Sequence, residues 1–214
     1  MTKQKRNYQK DLDRIIETNG KAGVRPRLLL HACCAPCSSY VLEYLSGYFD
    51  ITLFFYNPNM DTEEEFEKRR SELERLVSDM GLPVKVICGR YEPEVFYQSV
   101  RGHERDQERG ERCHICYALR LRKTAELAKA MEDQGMGFDY FCTTLSISPL
   151  KDAEAINSLG EMIGSEYGIS FLPSDFKKRE GYKRSTELSR IYGLYRQDYC
   201  GCVFSKVDRA GTGS

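Results

Sequence analysis

The stretch Arg27-Leu28-Leu29-Leu30-His31-Ala32-Cys33-Cys34-Ala35-Pro36-Cys37-Ser38-Ser39 decides the fold, because an apolar, β-rich run passes directly into a helix start crowded with cysteine. Residues 27–32 read as the first strand. Residues 38–48, with Val41, Leu42 and Leu45 on one face, read as the first helix. In parallel α/β proteins, ligands sit where such a strand runs out. Soft thiols at that edge, instead of the glycines and hydroxyls that cradle a phosphate, point to a bound metal or to electron exchange.

The same alternation continues on both sides. Residues 51–56 form a second β-run closed by Asn57-Pro58-Asn59, and Asp61 or Thr62 caps a helix over 63–80 that turns Phe66, Leu73 and Val77 inward and stops at Gly81. Residues 84–88, 140–144 and 169–172 supply three more strands. A helix over 113–131 has Leu119, Leu121, Ala125 and Leu127 as its apolar positions, with Arg120, Arg122 and Lys123 expected to face out. Strands separated by helices imply an α/β fold with a Rossmann-like, mostly parallel sheet flanked by helices and right-handed crossovers. The 214 residues suit a single α/β domain over 1–214, with its core at about 27–205, a short N-terminal helix over 8–18 and a flexible C-terminal tail over 207–214.

Composition narrows the functional classes. The chain is 41% hydrophobic and 30% charged, and no apolar run approaches the roughly 20 residues that span a bilayer, so no membrane role is expected. The opening Met1-Thr2-Lys3-Gln4-Lys5-Arg6-Asn7-Tyr8 is charged with no apolar segment behind it, which leads to the expectation of a cytoplasmic protein. Nine cysteines, an odd number at tight spacings, then read as ligands or redox groups and not as a disulfide framework. With a net charge of zero, any nucleic-acid surface must be a local patch.

Cys113-His114-Ile115-Cys116 lies at a helix start, where the spacing puts both sulfurs on one side and the helix N-terminus favours thiolate. With Cys33 and Cys34 it supplies four sulfurs, which suit tetrahedral zinc or an iron–sulfur cluster; spacing does not separate the two. Adjacent cysteines are awkward for one zinc ion because neighbouring side chains diverge unless the backbone turns sharply. Cys200-Gly201-Cys202 is different in kind: one intervening glycine brings its thiols close enough for a strained, labile disulfide, so the pair reads as an electron relay. Cys34-Ala35-Pro36-Cys37 alone reads as a thioredoxin-type pair. Cys88 and Cys142, at strand ends, read as buried packing residues, and His31 and His103 receive no role.

Four segments then occur in order: His31-Ala32-Cys33-Cys34-Ala35-Pro36-Cys37, Arg112-Cys113-His114-Ile115-Cys116-Tyr117-Ala118-Leu119-Arg120-Leu121, Thr143-Thr144-Leu145-Ser146-Ile147-Ser148-Pro149 and Tyr195-Arg196-Gln197-Asp198-Tyr199-Cys200-Gly201-Cys202. Over about residues 27–205 the sequence resembles the cobalamin-independent epoxyqueuosine reductases, the QueH family. The resemblance implies an adenine-nucleotide α-hydrolase-like (HUP) fold and the last step of queuosine synthesis, removal of the epoxide oxygen from epoxyqueuosine at the tRNA wobble position. It further implies that Cys33, Cys34, Cys113 and Cys116 bind a [4Fe–4S] cluster, that Cys200 and Cys202 form a redox-active disulfide, and that Cys37 holds an additional iron ion. How Cys33, Cys34 and Cys37 divide the ligation stays open. The first strand lacks the Ser-Gly-Gly-x-Asp-Ser phosphate loop, which disfavours an ATP-using relative.

The chemistry suits these residues. Reducing an epoxide to an alkene and water takes two electrons and two protons, whereas one cluster passes one electron at a time, so a dithiol such as Cys200/Cys202 can hold the second and an unidentified electron donor must refill it. For the tRNA anticodon loop, Lys177, Lys178, Arg179, Tyr182, Lys183 and Arg184 offer cations interleaved with an aromatic ring, and Arg101, Arg105, Arg109 and Arg112 form a second basic run. The plainer reading of either run is a solvated face. Two further functions fit the same residues: a thiol–disulfide oxidoreductase using Cys34 and Cys37, and a zinc-stabilised RNA-binding module.

Overall fold

The computed structural model describes residues 6–211. Helix α1 (Tyr8–Lys21) is capped by Asn7, whose side-chain oxygen accepts the Lys10 N–H at 3.2 Å, and runs a turn beyond the expected 8–18. Five strands follow: β1 (Arg27–Ala32), β2 (Asp50–Phe55), β3 (Lys85–Cys88), β4 (Tyr140–Thr143) and β5 (Ser170–Phe171). They pair in parallel in the order β3-β2-β1-β4-β5, so the fold is the expected α/β, Rossmann-like sheet flanked by helices.

β1 is the central strand, and its alternation builds both halves of the core. Leu28, Leu30 and Ala32 pack against Val41 and Leu42 of α2 (Ala35–Leu45) and Phe66 and Leu73 of α3 (Glu63–Asp79). On the other face, Leu29 packs with Tyr117 and Leu121 of α5 (Glu111–Glu132) and with Ile156 and Ile163 of α6 (Ala153–Tyr167). Leu28, Leu29 and Leu30 are fully buried, each worth about 1.5–3 kcal/mol of transfer free energy. An apolar run without polar alternation is what a strand covered on both faces requires.

The sheet reverses its winding at β1, with β2 on one side and β4 on the other. That switch point is where α/β sheets open a crevice at the carboxyl ends of their strands. α2 begins at Ala35, three residues before the expected start, because Pro36 suits a first helical turn where its missing N–H costs nothing. The Thr143 side chain likewise caps a 3-10 turn at Thr144–Ile147, accepting from the Leu145 N–H at 3.2 Å.

Several expectations change. Cys88 is exposed, since β3 is an edge strand, and its thiol meets Glu74 at 3.6 Å; Cys142 is fully buried. Four helices unassigned from sequence appear: α4 (Pro93–Ser99), α6, α7 (Gly181–Ile191) and α8 (Val203–Gly211). The segment read as a tail over 207–214 is therefore helical to Gly211, held where Phe204 meets Phe96 and Lys206 pairs with Asp61 at 2.9 Å. Residues 212–214, like the first five of the charged N-terminal run, lie outside the described residues. Among the described residues no helix is long and apolar enough to cross a membrane.

Candidate active site

Cys33 and Cys34 are the first residues past β1, and Cys34 is the N-cap of α2 in an extended conformation (φ −172°, ψ 166°). The chain turns from strand to helix there, which returns Cys37, in the first turn of α2, beside them. The Sγ atoms of Cys33 and Cys34 lie 3.9 Å apart, and those of Cys33, Cys34 and Cys37 all fall within 4.8 Å of one another. Adjacent thiols expected to diverge thus converge. A tetrahedral ion with metal–sulfur bonds of about 2.3 Å separates its sulfurs by about 3.8 Å, so the spacing suits a shared metal ion. Thr144, the first residue past β4, sets its Oγ1 3.5 Å from the Cys33 sulfur and accepts from the Cys33 N–H at 3.3 Å.

These thiols are not equivalent. Hydrogen bonds from Cys34 and Cys37, with help from Thr144, hold Cys33 well below the usual thiol range, whereas Cys34 is pushed up to about 12 and Cys37 also well up. His31 is buried between Thr143 Oγ1 and the Tyr56 carbonyl, both at 2.9 Å, and burial, with Arg120 nearby, lowers it to about 4. It remains neutral and ties β1 to its neighbours.

Cys113 and Cys116 occupy the first turns of α5, as the spacing predicts. The Arg109 N–H points at the Cys113 sulfur at 3.3 Å. Arg120, expected to face out, is 3% exposed and donates from Nη2 to the Cys116 sulfur at 3.2 Å and from Nε to the Cys116 carbonyl at 3.1 Å. One helical turn after Cys116, it points to where the thiols are, and their charge outweighs the desolvation that opposes burying a guanidinium. Arg112, counted in the second basic run, is also buried, with its guanidinium on the Glu104 carbonyl at 2.7 Å.

The segment before α8 brings the last pair in. Cys200 and Cys202 stand 3.6 Å apart, and Ser205 Oγ lies 3.1 Å from the Cys200 sulfur. The Gly201 carbonyl accepts from the Asp61 N–H at 2.9 Å and the Cys200 carbonyl from Asn59 Nδ2 at 3.2 Å, which fastens the turn to the loop after β2. Hydrogen bonding from Cys202, with the charge of Lys151, holds Cys200 well below the usual range, while Cys202 is raised.

Cys33, Cys34, Cys37 and Cys200 line one cavity of about 390 Å³, together with Arg69, Arg120, Lys151, Tyr182, Arg196 and Tyr199. Cys113, Cys116 and Cys202 lie in a narrow crevice beside it that shares Cys200, Arg120 and Lys151. Cys33 also packs in the apolar cluster that contains Cys113. The structure therefore gathers all three thiol groups about one place, yet among the described residues only Cys33, Cys34 and Cys37 lie at single-ion spacing.

The basic run is arranged differently. Lys177 pairs with Asp175 at 2.7 Å, Arg179 with Asp13 at 2.6 Å, Lys183 with Glu180 at 3.2 Å and Arg184 with Glu43 at 2.7 Å, while Lys178 is exposed. Of the run only Tyr182 reaches the cavity, where the Arg196 guanidinium lies 5.4 Å from its ring centroid and donates to its hydroxyl at 3.1 Å. Sequence reasoning missed Arg69, Arg120, Lys151 and Arg196. Two of them, Arg120 and Arg196, sit inside the quoted motifs, and Lys151 lies two residues after a third, so proximity to the cysteines was the available signal.

Fold and site together define a class: a Rossmann-like α/β protein whose switch-point corner is built of thiols instead of a phosphate loop, suited to soft-metal or redox chemistry. A family model, epoxyqueuosine reductase QueH, matches residues 28–208. Proteins named epoxyqueuosine reductase QueH are similar over most of the chain. The one from Streptococcus pyogenes serotype M1 is 42% identical over 206 residues, 94% of this chain and 79% of that protein. The one from Staphylococcus epidermidis is 43% identical over 213 residues (97% and 87%), and that from Thermotoga maritima 35% over 185 (85% and 91%). The chain belongs to the epoxyqueuosine reductase QueH family.

Proposed function

We propose that this chain reduces the epoxide of epoxyqueuosine in the anticodon loop of tRNA to the alkene of queuosine, with iron held by its thiols. The observation that carries the reading is the gathering of Cys33, Cys34 and Cys37 within 4.8 Å on the wall of a cavity that Cys200 also lines. In this reading Cys33, Cys34, Cys113 and Cys116 hold a [4Fe–4S] cluster and Cys37 takes part in an accessory iron site. The donor set fits: the thiols are free, soft and flanked by the buried cations Arg69 and Arg120 that offset thiolate charge. When bound, such a group supplies single electrons and a Lewis acid for the departing oxygen.

The chain's own residues do the rest. Cys200 and Cys202, 3.6 Å apart, need to close by only about 1.5 Å to form a disulfide, and doing so releases two electrons and two protons. An external donor then restores the dithiol. Tyr182 and Arg196 at the cavity offer a stacking surface for an unpaired base, the state in which anticodon-loop bases are recognised. The cavity is within the size range of small-ligand sites, so a single modified base enters while the tRNA body stays outside.

The test is anaerobic purification followed by iron and sulfide determination, then incubation with an anticodon stem-loop carrying epoxyqueuosine and a chemical reductant. Nucleoside mass spectrometry should show loss of one oxygen, and Cys200→Ser should abolish turnover with iron retained. Iron-free protein that is fully active sinks the iron reading. Iron-loaded protein that leaves the epoxide intact sinks the activity.

A further inference from the structure

We propose that the Lys151 ammonium binds the epoxide oxygen, donating a hydrogen bond to it as its first C–O bond breaks and negative charge develops there. This rests on the reductase reading above and names the hydrogen-bond donor of the chain itself that meets the departing oxygen, in addition to the Lewis acid of the iron site.

Lys151 is 6% exposed and lines both the cavity and the crevice behind Cys200. Its backbone is held in a tight turn by the N–H to Ser148 carbonyl bond at 3.1 Å, immediately before Asp152 caps α6, so its position is set by rigid structure. An ammonium carries three N–H donors. Among the described residues its Nζ makes no hydrogen bond; the Glu108 carboxylate lies 3.7 Å away, an ion-pair distance too long for a hydrogen bond. A buried charged donor in that condition is costly unless something in the cavity accepts from it.

Each of the other cavity cations already donates to at least one protein acceptor, whereas among the described residues Lys151 donates to none. Arg69 Nε donates to Glu65 at 2.6 Å, Arg120 donates to the sulfur and carbonyl of Cys116, and Arg196 donates to Ser189 and Tyr182. Lys151 therefore has donors to offer a ligand. Burial pulls its pKa down, but the charge at Cys200 outweighs that, so it stays an ammonium and acts by holding charge, not by giving up its proton.

Deoxygenation breaks both C–O bonds, forms the C=C bond and one water, and consumes two electrons and two protons. Oxidation of Cys200 and Cys202 to one disulfide releases two electrons and two protons, so the sum closes with both protons on the departing oxygen. Lys151 enters and leaves as the ammonium. Donors aimed at a developing oxyanion are typically worth about 10²–10³ in kcat.

The experiment uses anaerobically purified, iron-loaded enzyme with its dithiol pre-reduced and an epoxyqueuosine anticodon stem-loop, followed in a single turnover. Lys151→Met should slow oxygen loss about a hundredfold or more, with iron per chain, thiol titre and stem-loop affinity as in the unaltered protein. Lys151→Ala should regain rate as methylammonium is added, and not with tetramethylammonium, which has the charge but no N–H. An unchanged rate in Lys151→Met overturns the proposal. So does a loss that tracks iron, thiol titre or affinity, or a failure of methylammonium to restore the rate. Unaltered enzyme that leaves the epoxide intact instead overturns the reductase reading.

Discussion

Replacing Gly201 by alanine tests whether the dithiol turn is held as tightly as the structure shows. Gly201 has φ +104°, where an L side chain is strained by about 1–3 kcal/mol. The new Cβ would also stand 2.4 Å from Met60 Sδ and 3.2 Å from Arg69 Nη1. Met60 is buried and cannot swing into solvent, so overpacking adds about 1–3 kcal/mol. Together the two effects reach about 2–6 kcal/mol, a large share of a typical 5–15 kcal/mol stability. Gly193 provides the control: it has φ +55° but nothing within 4 Å of its Cβ position, so alanine there carries only a conformational penalty of about 1–2 kcal/mol. Calorimetry on the reduced proteins should show a Tm drop for Gly201→Ala at least twice that for Gly193→Ala, at about 2–4 °C per kcal/mol for a chain of this size. If the turn shifts to relieve the clash, it loses the bonds to Asp61 and Asn59, and Cys200 should alkylate faster. Equal Tm drops with unchanged alkylation would refute the reasoning.

Three other outcomes are expected. Tyr182→Ala should weaken anticodon stem-loop binding by about 5- to 150-fold, the loss of one base stack of about 1–3 kcal/mol, whereas Arg184→Ala, whose guanidinium is engaged by Glu43 and Glu187, should change it less than about twofold; filter binding decides. Glu65→Gln should cost about 3–5 kcal/mol and lower the urea midpoint by about 1 M or more, because it leaves the buried Arg69 guanidinium unpaired. Lys206 and Tyr199 outweigh burial to hold Asp61 below the usual carboxylate range, so its contribution to docking α8 is complete above the ordinary aspartate pKa and lost as pH falls through the lowered value. Proteolysis of α8 should therefore rise on acidification below about pH 4 in the unaltered protein, and Asp61→Asn should remove that dependence.

Much of the fold was legible because its signals are local. The apolar run at Leu28-Leu29-Leu30 allows only a strand covered on both faces, and Thr62 caps α3 through the Glu65 N–H at 3.2 Å as the spacing suggested. α7 was missed because it is polar along most of its length, with Leu188 as its one large buried apolar residue, whereas α6 carries Ile156, Leu159 and Ile163 at helical spacing but interrupts them with Gly160 and Gly164. At α6, Gly160 and Gly164 let β5 approach so closely that a Cβ on either would stand 2.6 Å from Phe171 or the Ile169 carbonyl. Arg120 went wrong for a plain reason: on a helical wheel it is polar and reads as outward, and only the sulfur of Cys116 and the thiols across the cavity explain its burial.

Sequence alone determined the strands, the parallel α/β class and the family, because hydrophobic period, caps and motif order are properties of the chain read in one dimension. It also named every thiol now found at the site. The tertiary structure decided which thiols share a single-ion spacing, that the cations of residues 177–184 are largely bound to acids of the same chain, and that Arg69, Lys151 and Arg196 face the cavity instead. Those facts depend on distances between segments far apart in the chain, set by how helices pack on a twisted sheet, and no local pattern encodes them.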